Sequence, residues 1–388
     1  MSMINWKAES LGAVADMTTD KISVNKLSIE NYISTENMLP DRGGVAIASK
    51  LPTSGSINAF FPGDVLFSNI RTYFKKVWLA QRHGGASADV IVFRPKDCQK
   101  VDSQYLYYVL SSDAFIESTV IASKGTKMPR GDKDAMLRYM MPLPPLPIQQ
   151  RIAGILSAYD ELIENSQRRI KLLEAMARAL YREWFVHFRF PGHENHPRVP
   201  SPLGEIPQGW EVKFVKEVAT VTYGFPFKSR EFQTDRIGTP VIRIRDILSG
   251  SSETFTEEKA EPKYHVKNGH ILIGMDGDFH MNIWSSGHAY QNQRVARFES
   301  KGEIGNFHLF LALEKPIQEL NKAIVGTTVA HLGDMHIKAI QIIFPPKEIR
   351  VKASDFLEPL MTQIIGFKQQ IQTLRRTRDL LLPRLLSG

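Results

Sequence analysis

The chain has 388 residues, 43% hydrophobic and 23% charged, with a net charge of +8. That is enough chain for two domains with real cores, and the basic balance points to a polyanionic partner. No run approaches eighteen apolar residues, so no membrane span is expected, and the single Cys98 excludes an intrachain disulfide and a thiolate zinc site.

In chain order, MSMINWKAES lacks a basic region followed by an apolar stretch, so no secretory leader is expected, and one cysteine fits a reducing cytoplasm. Residues 1–146 read as a mixed domain of short strands with one helix. Asp64-Val65-Leu66-Phe67 and Asp89 to Phe93 are strands bounded by turn residues, and Gln104 to Glu117 has helical apolar spacing. Two loops, Ser68 to Lys76 and Ser123 to Lys133, gather phosphate-neutralising cations, directional amides and hydroxyls, and aromatics able to stack on a base. Their candidate nucleic-acid contacts are Asn69, Arg71, Tyr73, Lys75, Lys76, Lys124, Thr126, Lys127 and Arg130.

Residues 147–186 read as one long amphipathic helix. Its apolar positions Ile152, Ile155, Tyr159, Leu162, Ile163, Ile170 and Leu173 fall in steps of three, four and seven once the seam shifts by one residue at Leu162 and Ile163, which predicts a coiled-coil-like seam roughly 55 Å long. Such a helix needs a partner along its length. The C-terminal segment, residues 347–388, offers one, with Leu360, Ile364, Phe367, Ile371 and Leu374 at helical spacing. Pro359 suits the first turn of that helix and Pro383 its end. Tyr181, Trp184 and Phe185 stand outside the seam and are candidates for partner contact.

Residues 187–210 are rich in proline, glycine and polar side chains and read as a linker; His187, His193 and His196 there lack a completing carboxylate or thiolate, so no metal site is expected. Residues 211–346 form a second mixed domain. Val241 to Arg245 alternates apolar and basic as a half-buried strand does. The candidate nucleic-acid residues here are Lys228, Arg230, Arg243, Arg245, Asn282, Gln291, Gln293 and Arg294.

The whole chain is an internal repeat with an offset of about two hundred residues. Gly63-Asp64-Val65-Leu66 answers Gly269-His270-Ile271-Leu272, Gly125-Thr126 answers Gly326-Thr327, and Pro144-Pro145 answers Pro345-Pro346. Gly274 to Asn282 takes the place of Ser68 to Lys76. The frames match there and the sequences differ, as two readers of different targets on one scaffold would.

Catalytic signatures are missing. There is no phosphate-binding GxxxxGK loop, no Asn-Pro-Pro-aromatic tetrapeptide, no strand–GxG–helix signature, no HExxH and no GxSxG. Glu257-Glu258-Lys259 with Asp246 upstream satisfies only a fragment of a nuclease motif. The chain is therefore not expected to be an enzyme by itself.

Four stretches carry a resemblance over essentially the whole chain: PLPPLPIQQRIAGIL from Pro142, ARALYREWFVHFRFPG from Ala177, LGEIPQGWEV from Leu203 and RDLLLPRLLSG from Arg378. In these the chain resembles the specificity subunit of a type I DNA restriction–modification enzyme. The resemblance implies an α+β fold of two mixed α/β target recognition domains joined by two long antiparallel helices, a pseudo-twofold internal repeat. It implies that each domain reads one half of a bipartite, asymmetric double-stranded DNA site and that the helices fix the spacer and dock two methyltransferase subunits. Adenosylmethionine would belong to that methyltransferase, and ATP and magnesium to motor–nuclease subunits, leaving no cofactor on this chain. Two other readings stand beside it: a free-standing coiled-coil DNA-binding or scaffolding protein without a methyltransferase, and an enzyme with an unrecognised site. Nuclease or methyltransferase activity of the purified chain alone, lost on Asp246→Ala or Glu258→Ala, would favour the last.

Overall fold

The structure is a computed structural model that describes residues 6–125, 127–324 and 331–387. It divides into two units, Met1–Leu162 with Leu374–Gly388, and Ile163–Thr373. Each has its own core.

The first unit is built on an antiparallel sheet in the order Ala15–Met17, Val90–Pro95, Val65–Ser68, Val77–Leu79. Both faces are covered, so the central strands read as unbroken apolar runs rather than alternating ones. Val65, Phe67, Ile91 and Phe93 face a core with Leu106, Val109 and Phe115. Leu66, Val90 and Val92 face the other way, into a smaller core with Phe60, Ile33 and Ala86 from a second four-stranded sheet. A Cβ at Gly84 in that second sheet would lie 2.1 Å from the Asn31 carbonyl oxygen, so only glycine lets the strands close. The single helix expected over Gln104 to Glu117 is two helices, Ser103–Ser111 and Asp113–Ile121. Ser112 breaks them: its backbone is extended and its hydroxyl accepts from the Phe115 N–H, capping the second helix.

The second unit repeats this plan with the strand order Ala219–Tyr223, Val295–Ser300, Ile271–Gly274, Met281–Ile283. Ile271, Ile273 and Phe298 pack on Phe307, Phe310 and Leu313 of helix Asn306–Ile324, while Leu272 and Val295 pack on Trp284, Ile242 and Val266. The repeat extends to single hydrogen bonds. Gly63 N–H to Ala80 O is matched by Gly269 N–H to Trp284 O, both 2.9 Å. Leu11 N–H to Tyr139 O is matched by Val215 N–H to Ile340 O, both 2.8 Å. The smaller sheets keep the same centre: Gly84–Ala86 lies antiparallel to Ser56–Phe60 and parallel to Tyr32–Ile33, as Ala289–Gln291 lies antiparallel to His265–Val266 and parallel to Thr239–Ile242. They differ in the fourth strand, Lys21–Ser23 joining Ser56–Phe60 in the first and Phe255–Thr256 joining Thr239–Ile242 in the second.

The segment 187–210, expected as a linker, is folded. Arg198–Ser201 and Gly204–Pro207 form a hairpin, and Phe188, Phe190, Ile206 and Trp210 are buried in the second core. Its proline and glycine content reflects tight turns between apolar anchors. His193 Nδ1 and His196 Nδ1 lie 2.9 and 3.0 Å from the carbonyl oxygens of Phe190 and Gly192, in local turns. Among the described residues no group of three or more His, Cys, Asp or Glu side chains is placed to hold a metal ion, and no helix is long and apolar enough to cross a membrane.

Two long helices run Leu146–Tyr181 and Lys347–Ser387, the first followed by a π-helical turn over Arg182–Val186. Within the first unit, Ile152, Ala153 and Leu156 share a core with Leu382 and Leu386, and Asp160 meets Arg378, so the two segments are antiparallel. Within the second, the Arg169 guanidinium lies over the Phe367 ring at 5.5 Å, and Ala177 shares a core with Ala353 and Leu357.

The buried stripe differs from the expected seam at several positions. Ile155 and Leu162 are 39% and 49% exposed, while Leu156 and Ile163 are buried. A helix of 3.6 residues per turn drifts against a heptad, and the neighbouring residue takes the inward place. Ile152, Ile364 and Ile371 are buried as expected; Tyr159, Ile170, Leu173, Leu360, Phe367 and Leu374 are half-buried. Nor does the last helix begin at Pro359 or stop at Pro383. Both prolines lie inside it on exposed positions, where the carbonyls they leave without an N–H donor are open to solvent rather than sealed in a core.

Gln149, at the start of the first long helix, has no exposed surface. Its amide nitrogen donates to the carbonyls of Lys100 and Pro144, each at 2.8 Å, and its oxygen accepts from Asp102 N–H at 3.0 Å. The proline lead-in and Gln149 together fix the angle at which the helix leaves the domain.

Candidate nucleic-acid interface

In the first unit the two basic loops, more than fifty residues apart in the sequence, are stitched together. Ile70 and Lys124 each form an antiparallel bridge with Arg130, Arg71 N–H donates to Pro129 O at 2.9 Å, and Gly131 N–H donates to Asn69 O at 3.2 Å. A third segment joins them, with Asp41 N–H on Phe74 O and Arg42 N–H on Lys75 O, both 2.9 Å. Asp41, Arg42, Arg71 and Lys75 all adopt positive φ, from 50° to 60°. Non-glycine residues pay for that conformation, of order 1 kcal/mol or more each, and such residues gather where a loop must hold a defined shape. Tyr73 and Phe74 are 47% and 40% exposed, with ring centroids 4.8 Å apart. They are surface aromatics, free to meet a ligand.

The cations divide by their company. Lys75 pairs with Asp113 at 2.7 Å, Lys124 with Asp132 at 2.6 Å, and Arg130 with Asp89 at 2.9 Å. The Lys124 ammonium and the N–H of Ala135 hold the Asp132 carboxyl down to about 2. Lys76 corrects an expectation: its ammonium donates to Thr35 O at 2.6 Å, and burial lowers its pKa, so it ties two loops together. Asn69 is buried; its backbone bonds Asp89 O and Gly131 N–H, while its side-chain oxygen makes no hydrogen bond among the described residues. Lys127 is exposed, its carbonyl receiving the Arg71 guanidinium at 3.4 Å. Thr126 lies outside the described residues.

In the second unit the topologically equivalent place is the loop after Ile271–Gly274. Asp276 bridges to His331 as Ile70 does to Arg130, and Met275 N–H donates to Arg294 O at 3.0 Å as Asn69 N–H does to Asp89 O at 2.8 Å. The Asp276 carboxylate lies 2.7 Å from His331 Nδ1 and 3.3 Å from Arg294 Nη1. Gln293 and Arg294 are exposed in a turn. Lys228 caps the short 3-10 turn Ser229–Glu231 and Arg230 lies within it, both near Glu231, at 3.8 and 3.7 Å.

Four expectations are corrected here. The strand ends at Ile242, and Ile244–Ser249 is a helix whose N-cap is Arg243, so Arg243 and Arg245 do not share a strand face. Arg245 donates to the Thr254 hydroxyl at 3.1 Å. Asn282 donates to the Ile247 carbonyl at 2.9 Å and accepts from the Lys368 ammonium at 3.2 Å, which ties its strand inward. Gln291 has no exposed surface and donates to the carbonyls of Thr222 and Val295 at 2.6 and 2.7 Å. Amides look alike in a sequence whether they face a base or satisfy buried carbonyls. Asp246, once a nuclease candidate, accepts from Arg243 N–H at 2.9 Å as a helix cap, and Glu258 accepts from Lys228 N–H at 3.1 Å.

Tyr181, Trp184 and Phe185 pack into the second core rather than stand out for a partner. Trp184 and Phe185 are buried, and Phe185 lies against His308 and Trp210 at ring distances of 4.4 and 5.8 Å. Sequence reasoning missed Asp89, Asp276 and His331. The repeat carried the signal for the last: extending the match of Gly125 to Gly326 by five residues sets Arg130 opposite His331.

Two units of one topology, each with a polar junction of loops, and two long helices that run through both define a class of internally repeated, two-domain protein. Comparison gives the family. The model of the type I restriction modification DNA specificity domain matches twice, over residues 5–175 and 207–376, and the chain belongs to that family. It is 26% identical over 400 residues to the type I restriction enzyme MjaIX specificity subunit of Methanocaldococcus jannaschii, covering 98% of this chain and 92% of that one. It is 23% identical to the HindI specificity subunit of Haemophilus influenzae over the full length of both. Among solved structures, the S subunit of a type I restriction–modification system from M. genitalium shares the fold, with a TM-score of 0.63 at 16% identity over 100% of this chain and 98% of that one.

Proposed function

We propose that this chain is the non-catalytic subunit that directs type I methyltransferase subunits to a bipartite, asymmetric DNA site, each head reading one half. One observation carries the reading: the two heads keep the same strand order and the same ladder bonds, yet differ in sequence at the equivalent loops, Asn69 to Lys76 and Met275 to Asn282. A conserved frame with divergent tips suits two unlike targets. Exposed lysines would set register on phosphates, and the loop arginines and aromatics would read bases. The helices Leu146–Tyr181 and Lys347–Ser387 would serve as the ruler between half-sites and as the dock for two methyltransferase subunits, joined in restriction by two motor–nuclease subunits. Adenosylmethionine, ATP and magnesium belong to those partners in this scheme, and the assembly works in the cytoplasm, where its DNA is.

The test is reconstitution. The methyltransferase encoded beside this chain should transfer labelled methyl groups to unmodified genomic DNA only when this chain is added. Equal transfer without the chain, or none with a soluble complex of both, would overturn the proposal.

A further inference from the structure

Each head holds one arginine against an aspartate at the same topological place, by different residues. In the first head the aspartate is Asp89, whose carbonyl accepts from Asn69 N–H, and the arginine is Arg130, bridged to Ile70. In the second, other positions supply the pair, and His331 rather than an arginine stands in Arg130's place, 2.7 Å from Asp276. Arg294 stands where Asp89 does, its carbonyl accepting from Met275 N–H, and Asp276 stands where Ile70 does. The ion pairs measure 2.9 Å and 3.3 Å, each through one guanidinium nitrogen, and the two arginine side chains are 61% and 55% exposed. An isolated surface pair would be unremarkable and contribute little to stability. The same kind of pair built from non-equivalent positions, at the junction where the candidate loops meet, is not explained by packing.

Resting on the DNA-recognition reading above, we propose that Arg130 and Arg294 each read the guanine of one G·C pair, one in each half-site, with Asp89 and Asp276 as positioning residues. The carboxylate decides against the alternative of a phosphate contact. A phosphate approaching either guanidinium would meet the aspartate's like charge, whereas a base edge carries no net charge. Guanine offers O6 and N7 to the two-pronged guanidinium, and its paired cytosine offers an N4 amino donor that a carboxylate accepts. An arginine–aspartate pair therefore complements a G·C pair as a unit. Fixing the guanidinium before binding also lowers the ordering cost of a side chain with many rotamers. Lys127, exposed on the same junction, suits the phosphate role instead.

The experiment maps N6-methyladenine across the genome of cells carrying the full chain with its methyltransferase, for the wild type and for Arg130→Lys, Arg130→Gln, Arg294→Lys, Arg294→Gln and Asp276→Asn. The lysine variants keep the charge and lose the fork, so they separate base reading from general attraction. The expected result is that the Arg130 variants relax one G·C pair in one half-site, with discrimination there falling about tenfold. The Arg294 variants should relax one G·C pair in the other half-site, and Asp276→Asn should relax that same pair more weakly. Unchanged motifs in the variants, or a uniform loss at all sites without relaxation at one pair, would overturn the proposal while leaving the function reading intact. A wild-type chain that directs no methylation would overturn both.

Discussion

Arg378 and Asp160, 218 positions apart in the sequence, meet at 2.5 Å between the two long helices within the first unit. Asp160 also accepts from the Tyr108 hydroxyl at 2.7 Å, and Arg378 bonds its neighbour Asp379. The ion pairs continue outward. Asp379 lies 3.9 Å from Arg42, Arg42 bonds Asp113 at 2.6 Å, and Asp113 bonds Lys75 in the candidate loop. Burial works against the Arg378 charge, but Asp160 and Asp379 outweigh it and raise its pKa further.

Removing Asp160 leaves the buried Arg378 with only its more exposed neighbour Asp379 and takes away the acceptor of the Tyr108 hydroxyl. Arg378 is 7% exposed, so Asp160→Ala should cost about 3 kcal/mol, and Asp160→Leu with Arg378→Met should recover most of it. Hydrogen exchange over residues 374–387 reads the difference. Protection in Asp160→Ala equal to that of the wild type would show that the pair contributes nothing.

Trp184 distinguishes packing from partner contact. It is 8% exposed within the second core, so Trp184→Ala should destabilise that unit by about 3–5 kcal/mol. Calorimetry of the isolated chain checks this. A variant as stable as the wild type that no longer binds the methyltransferase would restore the partner role.

Acid should loosen the second unit before the first. Burial first, and Arg350 second, push the buried His308 down to about 3, and burial with Arg297 pushes His270 down to about 4. In the unfolded chain both histidines take a proton near pH 6.5. Below that pH the unfolded state binds more protons, so stability present above about pH 6.5 is lost as pH falls toward 4, by at most about 1.4 kcal/mol per pH unit for each group. The first unit's single histidine, His83, is exposed. Hydrogen exchange corrected for intrinsic rates, at pH 7 and pH 5, should show Asn306–Ile324 losing protection while Ser103–Ser111 does not, and His308→Leu should reduce the loss.

Lys127→Ala should weaken DNA binding of the assembled complex about equally on every sequence. It should also reduce the slope of log affinity against log salt by about 1, because one phosphate contact releases roughly one counter-ion. Titration at several salt concentrations measures it. A changed sequence preference with an unchanged slope would assign Lys127 to a base.

The repeat and the two long helices were legible in the sequence, because Gly and Pro landmarks recur in one order and apolar spacing marks helices; that loops Ser68 to Lys76 and Ser123 to Lys133 meet was not. Nor were three other things. Prolines 359 and 383 sit on the exposed face of a helix held by its other side, so tertiary packing overrides their usual reading as boundaries. Gln291 and Asn282 carry the side chains of base readers but satisfy buried carbonyls, which only the fold reveals. Asp89 and Asp276 gave no local signal, since their meaning comes from the arginines set beside them.

The most direct measurement is a genome-wide map of N6-methyladenine in cells expressing this chain with its neighbouring methyltransferase, against cells lacking only this chain. The account predicts a split motif, two short fixed blocks around an unspecified spacer, methylated only when the chain is present. Methylation that does not depend on the chain, or a chain-dependent motif that is one continuous block, would contradict it.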